Sequence, residues 1–185
     1  RLGGIFHAAR SCDALNIEYA LAYYAPDYLV KDVEKFGIDV LRASSIFRLG
    51  KVDKAPNVML IGQSDESGNQ LYENILGRQA EYVSMLPFMQ VLDDFDPTDI
   101  IIFPGRYGNA GILSNLSNYE GKIHIDMNYD CDDILDLDTI KIQTVFLSTS
   151  STSFEEFFKE ISYDNLIKYF DKKNVSQLLI KENRG

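Results

Sequence analysis

Three stretches of this chain bring together residue types that hold polar ligands. Near the start, "GGIFHAARSCDALN" sets Gly3 and Gly4 directly before a helical pattern that carries His7 and an apolar stripe of Ala8, Ala9, Cys12 and Leu15. Paired glycines let a ligand approach the backbone, and the free N–H groups of a helix start favour a polar or anionic group; the same pair also serves an ordinary tight turn. A second stretch, "FPGRYGN" over 103 to 109, follows an apolar run and precedes another helical pattern, so Gly105 and Arg106 fall at the carboxyl end of a strand. Arg106 there suits an anionic or polyol ligand, or is a solvated arginine beside a turn. The third, "KIHIDMNYD", alternates like a strand and ends in Asp126, Asn128 and Asp130. That end is where open α/β sheets bind ligands, and Asp and Asn are also common turn formers.

The last stretch imitates a calcium loop, with Asp126, Asn128 and Asp130 at positions one, three and five. Cys131 replaces the turn glycine, however, and Leu137 replaces the bidentate Glu, so the imitation fails. No P-loop, G-x-S-x-G elbow, H-E-x-x-H or G-x-G-x-x-G occurs. His7 and His124 stand far apart with no adjacent nucleophile, and His124, alternating with strand apolar residues, reads as a satisfied core or interface histidine. No catalytic residue is assigned from these motifs.

The elements that must position these residues are bounded by composition. A chain of 185 residues with 45% apolar and 25% charged residues, 12 Gly and 5 Pro has the makings of one packed globular domain. Lys and Arg number 18 against 28 Asp and Glu, and the resulting charge of −10 opposes the counterion-release attraction behind nucleic-acid binding. Cys12 and Cys131 are too few for a disulfide framework and lack zinc spacing, which leaves two buried free thiols as the expectation. No apolar run approaches the roughly 18 residues that span a bilayer, and no signal segment opens the chain. A soluble, cytoplasmic protein without a membrane partner is expected.

Strand-length apolar runs occur at 17–25, 57–62, 99–105, 122–129, 140–148 and 176–181, and helix-period patterns at 5–15, 27–36, 84–95, 107–117 and 153–171. Their alternation predicts βαβ units, and the runs are too apolar for a half-exposed sheet. The expected fold is α/β, a three-layer αβα domain over residues 1–185 with a mainly parallel sheet. Residues 38–75 break the rhythm with runs separated by "GKVDKAP" and "SDESGN", which predicts a protruding antiparallel β lid that closes over a ligand or makes a homodimer contact. The chain opens on "RLGG" and closes on "LLIKENRG", and both ends read as cuts through a larger domain.

The order of these segments resembles the ribokinase-like, or pfkB-type, carbohydrate kinase family. Gly3, Gly4 and "HAARSCDALN" are similar to its Gly pair and following helix, with His7 in the place of an Asn. "NVMLIGQSDESGNQLY" resembles its β lid, "DIIIFPG" and "KIHIDMNYD" its strands ending in Pro-Gly and in D-x-N, and "TVFLSTSSTSFEEFF" its N-x-x-E segment, with Glu155 or Glu156 for the Glu and the Asn missing. The resemblance implies ATP- and magnesium-dependent phosphorylation of a sugar or nucleoside hydroxyl by a longer protein, this chain supplying the substrate-binding body and lid. The substrate residues it implies are Gly3, Gly4, His7, Gly105, Arg106 and Asn128. The first strand and the G-x-G-D loop of the family are absent from the sequence, which leaves open a non-catalytic sugar- or nucleoside-binding module of the same descent.

Overall fold

A computed structural model describes residues 4–53, 59–64, 70–74, 81–103, 116–127, 140–149, 154 and 158–182. The chain divides into two compact units, Arg1–Asn57 with Gly77–Pro97, and Val58–Leu76 with Thr98–Gly185.

In the first unit, helix α1 (Gly4–Leu15) ends where Asn16 takes a left-handed φ of 54°, a conformation Asn tolerates better than most residues. The Ile17 N–H then caps the Cys12 carbonyl at 2.9 Å. Strand β1 (Ala20–Ala25) alternates, with Leu21, Tyr23 and Ala25 buried. Pro26 opens a 3-10 turn, Asp27–Leu29, that runs into α2 (Val30–Asp39). Strand β2 (Ser45–Asp53) pairs parallel with β1, and β5 (Glu81–Ser84) pairs antiparallel with β2. Helix α3 (Phe88–Phe95) starts after Pro87 and stops at Asp96, again left-handed. One core cluster joins Ala9, Leu21 and Leu41 to Phe6 and Phe36; a second joins Tyr23, Ala25 and Val33 to Phe6 and Ile46. Phe6 thus ties α1 to both clusters, meeting Phe36 of α2 edge-on at 5.9 Å.

The second unit holds an antiparallel hairpin of β3 (Met59–Ser64) and β4 (Gln70–Asn74). It also holds a four-stranded, all-parallel sheet of β6 (Asp99–Ile102), β7 (Lys122–Asp126), β8 (Ile142–Ser148) and β9 (Val175–Lys181), in that order. Helix α4 (Tyr163–Lys172) links β8 to β9. The Ser162 side chain caps it by accepting from the Asn165 N–H, and Asp164 and Lys172 suit its two dipole ends. Its buried Leu166 and Phe170 pack inward, and Tyr169 and Phe170 line one small cavity with Met127 and Val145. Ile123, Ile125, Val145 and Leu147 are buried.

The chain is therefore α/β with mostly parallel strands, as the alternation of apolar runs and helical periods predicts. Within the expected flap, 59–64 and 70–74 form the antiparallel hairpin, whereas 45–51 pair parallel with β1 and 50–53 pair antiparallel with β5, beyond the expected flap. The helical period over 153–171 does not run as one helix: residues 158–160 turn, and the Ser162 cap starts α4 afresh. Most of the expected helix at 107–117 lies outside the described residues. No described helix is long and apolar enough to cross a membrane.

Candidate functional site

In the first unit, Gly4 opens α1 and His7 stands exposed on its second turn, where its carbonyl accepts the Ser11 hydroxyl at 3.2 Å. Gly3, Gly105, Arg106, Asn128 and Asp130 lie outside the described residues, as do Cys131, Glu155 and Glu156. Cys12 is half-buried on α1, and burial, then the charge of Asp13, pushes its thiol above the ordinary range. That leaves it mostly protonated at neutral pH, consistent with a packing role.

The carboxyl ends of β1 and β2 are tied by a residue that no motif marks. Arg48 donates to the Ala25 carbonyl at 3.0 Å and to the Gly50 carbonyl at 3.3 Å, and it pairs with the Asp27 carboxylate. The hydrogen bond from Arg48 holds the Asp27 carboxyl below its usual value. With its donors so engaged, Arg48 fixes the strand ends to the turn after Pro26. Beneath it the Tyr23 hydroxyl is buried without a hydrogen-bond partner, a burial that costs about 1–3 kcal/mol. Burial, then the charge of Glu34, raises its pKa, while Arg48 lowers it.

In the second unit, the carboxyl edge of the parallel sheet carries Asp126 at the end of β7, Ser148 and Thr149 at the end of β8, and Lys181 and Glu182 at the end of β9. Thr149 closes β8 onto β9, its backbone N–H donating to the Lys181 carbonyl at 3.0 Å. Tyr163, the first residue of α4, donates its hydroxyl to the Glu182 carboxylate. The edge thus gathers carboxylates, an ammonium and hydroxyls, groups that recognise hydroxyl-rich ligands by accepting from or donating to each hydroxyl. The sequence marks Asp126 as a strand end, but Tyr163, Lys181 and Glu182 join it only through the strand order.

Asp126 is half-buried, and burial pushes its carboxyl above the ordinary range while Lys181 pulls it back. A carboxyl with a raised folded-state pKa favours folding while protonated and opposes it once ionised, so its contribution worsens as pH rises through that pKa. Asp126→Asn is accordingly expected to melt higher than the wild type at about pH 7, with the gap closing as pH falls toward about 4, the ordinary carboxylate range. Thermal melts across that window check the sign; a variant that melts lower at neutral pH contradicts it.

Farther down the sheet, the His124 Nε2–H donates to Asp99 Oδ1 at 3.1 Å, since an ionised carboxylate only accepts, and the Thr98 hydroxyl donates to Asp99 Oδ2 at 2.9 Å. These two bonds, His124 first, hold the Asp99 carboxyl below its ordinary range. Beside them the Thr144 hydroxyl donates to Gln177 at 3.2 Å. Among the described residues no cluster of three or more His, Cys, Asp or Glu side chains is disposed to hold a metal ion.

No family model, curated protein or solved structure matches this chain.

Proposed function

We propose that this chain is the substrate-binding part of a ribokinase-like, three-layer phosphotransferase, holding a sugar or nucleoside at the carboxyl edge of its parallel strands. The observation that carries this reading is the all-parallel β6–β9 sheet, whose carboxyl edge sets the half-buried Asp126 within electrostatic reach of Lys181. Edges of this kind bind small ligands in open α/β sheets, and half-burying a carboxylate is a cost that a bound hydroxyl can offset. In this reading Gly105, Arg106 and Asn128 contribute to the substrate site and the β3–β4 hairpin serves as the lid, while Gly3, Gly4 and His7 are substrate residues by the family resemblance alone. ATP and magnesium enter by the family resemblance alone.

The test is calorimetric titration of the chain with hexoses, pentoses and nucleosides, followed by Asp126→Ala and Asn128→Ala titrated with whichever compound binds. Each substitution is expected to weaken binding about tenfold or more, the effect of losing a hydrogen bond to a charged or well-placed polar group. Absence of any saturable binder, or affinities that neither substitution moves, overturns the reading. An ATP-consumption assay on the protein in its natural length then separates the two descents: binding with turnover marks the kinase, binding without it the non-catalytic module.

A further inference from the structure

Along the interior strand β8, alternation puts Ile142, Thr144, Phe146 and Ser148 on one face of the sheet. The amino half of that face is covered, with Ile142 and Thr144 each 3% exposed. Two residues on, toward the carboxyl edge, Phe146 opens to 38%. The register sets Asp126 of β7 on one side of Phe146 and Leu179 of β9, 52% exposed, on the other. One level farther along, Ser148 pairs with Lys181. A row Asp126, Phe146, Leu179 therefore crosses the sheet where its cover ends, with Lys181 above it.

An open phenylalanine on an interior strand, beside a half-buried carboxyl, has the makings of a ligand platform: an apolar floor with a few polar groups at its rim. The two parts of this row ask for different chemistry in one ligand. A free sugar carries hydroxyls all round its ring, and laying it over Phe146 and Leu179 leaves some of them without partners. A nucleoside separates the two demands, since its flat base stacks on an aromatic ring while its ribose presents hydroxyls to Asp126 and Lys181. Charge then sets the form of that ligand. At this edge the carboxylates of Asp126 and Glu182 outnumber the Lys181 ammonium, on a chain carrying −10, so a phosphate group is repelled and a neutral nucleoside is not.

We propose that Phe146 and Leu179 form the stacking platform for the base of a neutral nucleoside whose ribose hydroxyls meet Asp126 and Lys181, an inference that rests on the substrate reading above and narrows it.

Titration calorimetry of the chain with ribose, adenosine, uridine and AMP tests it. Both nucleosides are expected to bind about 5- to 150-fold tighter than ribose, the range that stacking a base on an aromatic side chain contributes. AMP should bind more weakly than adenosine. Phe146→Ala should erase the advantage of the nucleosides and leave ribose unchanged, whereas Asp126→Asn should weaken ribose and nucleosides alike. Should Phe146→Ala misfold, Phe146→Leu keeps an apolar side chain without the ring. Proton NMR then reads the stack directly: the base protons of adenosine should move upfield on binding the wild type and stay in place with Phe146→Leu. Ribose that binds through Asp126, with nucleosides no tighter and Phe146 without effect, overturns the platform and leaves the carboxyl-edge reading standing. AMP binding tighter than adenosine, or nucleosides indifferent to Asp126→Asn, also overturns the proposal. So does the absence of saturable nucleoside binding, and the wider reading falls with it only if hexoses and pentoses fail as well.

Discussion

Gly50→Ala is expected to lower the stability of the first unit by about 3 kcal/mol or more, a loss at the upper end of what overpacking causes. The register of β1 on β2 slips between Tyr23 and Tyr24, so Tyr23 pairs with Arg48 and Tyr24 with Gly50, leaving Leu49 as an extra residue. The freed Leu49 carbonyl accepts two N–H groups from the chain leaving β5, Met85 at 2.8 Å and Leu86 at 3.0 Å. That bond pattern draws β5 against Gly50. A Cβ added there would stand 2.2 Å from the Val83 carbonyl oxygen, 2.7 Å from the Tyr24 ring and 2.9 Å from Ser84 Cα. Two of those three neighbours are backbone of a paired strand and cannot turn aside as a flexible side chain could. Relief requires β5 to separate from β2, breaking the 2.9 Å hydrogen bond between Tyr24 and Ser84 as well. Urea unfolding of the variant measures the loss; a change below about 1 kcal/mol would show that β5 yields without cost.

This bulge also shows where the sequence stops being informative. A glycine inside "SIFRLGKVD" signals a bulge or a close backbone approach, and that signal stands in the sequence. What lies close to it does not, because β5 arrives from some 30 residues away, and parallel and antiparallel partners impose the same alternation on β2. Residues 45–53 therefore read as part of an antiparallel flap although 45–51 pair parallel with β1, only 50–53 having an antiparallel partner, in β5. The strands β6 to β9 were legible because their apolar runs are short, β-branched and separated by turn formers. The break before α4 was hidden, since Phe154, Phe158 and Ile161 keep the helical period going while the Ser162 cap interrupts it.

The candidate site divides along the same line. Asp126 is legible because it ends a strand within the chain's own local pattern, and ligand-binding edges are built from strand ends. Its neighbours Lys181, Glu182 and Tyr163 lie 37 or more positions away, and only the parallel order β7-β8-β9 brings them to one edge. Arg48 and Asp27 are likewise joined by the pairing of β1 with β2, and a lone Arg in a strand carries no sign of that role. Gly4 and His7 were read from a local glycine pair, and the structure does place them at the start of a helix.

Phe158→Ala is expected to cost the second unit about 3–5 kcal/mol, the usual loss for emptying a fully buried phenylalanine site. Phe158 is 2% exposed and stands at the centre of an aromatic group, its ring 5.5 Å from both Tyr169 and Phe170 and 6.4 Å from Phe154. Tyr169 and Phe170 in turn meet at 5.2 Å and 90°, an edge-to-face geometry that adds roughly 0.5–1.5 kcal/mol beyond area burial. Truncation would remove two ring contacts onto α4 at once, and the rigid helix can collapse into the void only by shifting over the sheet. Such a shift does not stay local, because Tyr163 at the head of α4 donates to Glu182 at the end of β9. Phe158→Ala should therefore loosen the carboxyl edge as well as the core, whereas Phe158→Leu, which keeps most of the volume, should retain the edge at a smaller cost in stability. Denaturant melts give the first effect, and proteolysis or amide exchange at the end of β9 gives the second. Equal protection at β9 in the wild type and Phe158→Ala would show that the edge is held by the sheet alone and that α4 does not set its geometry.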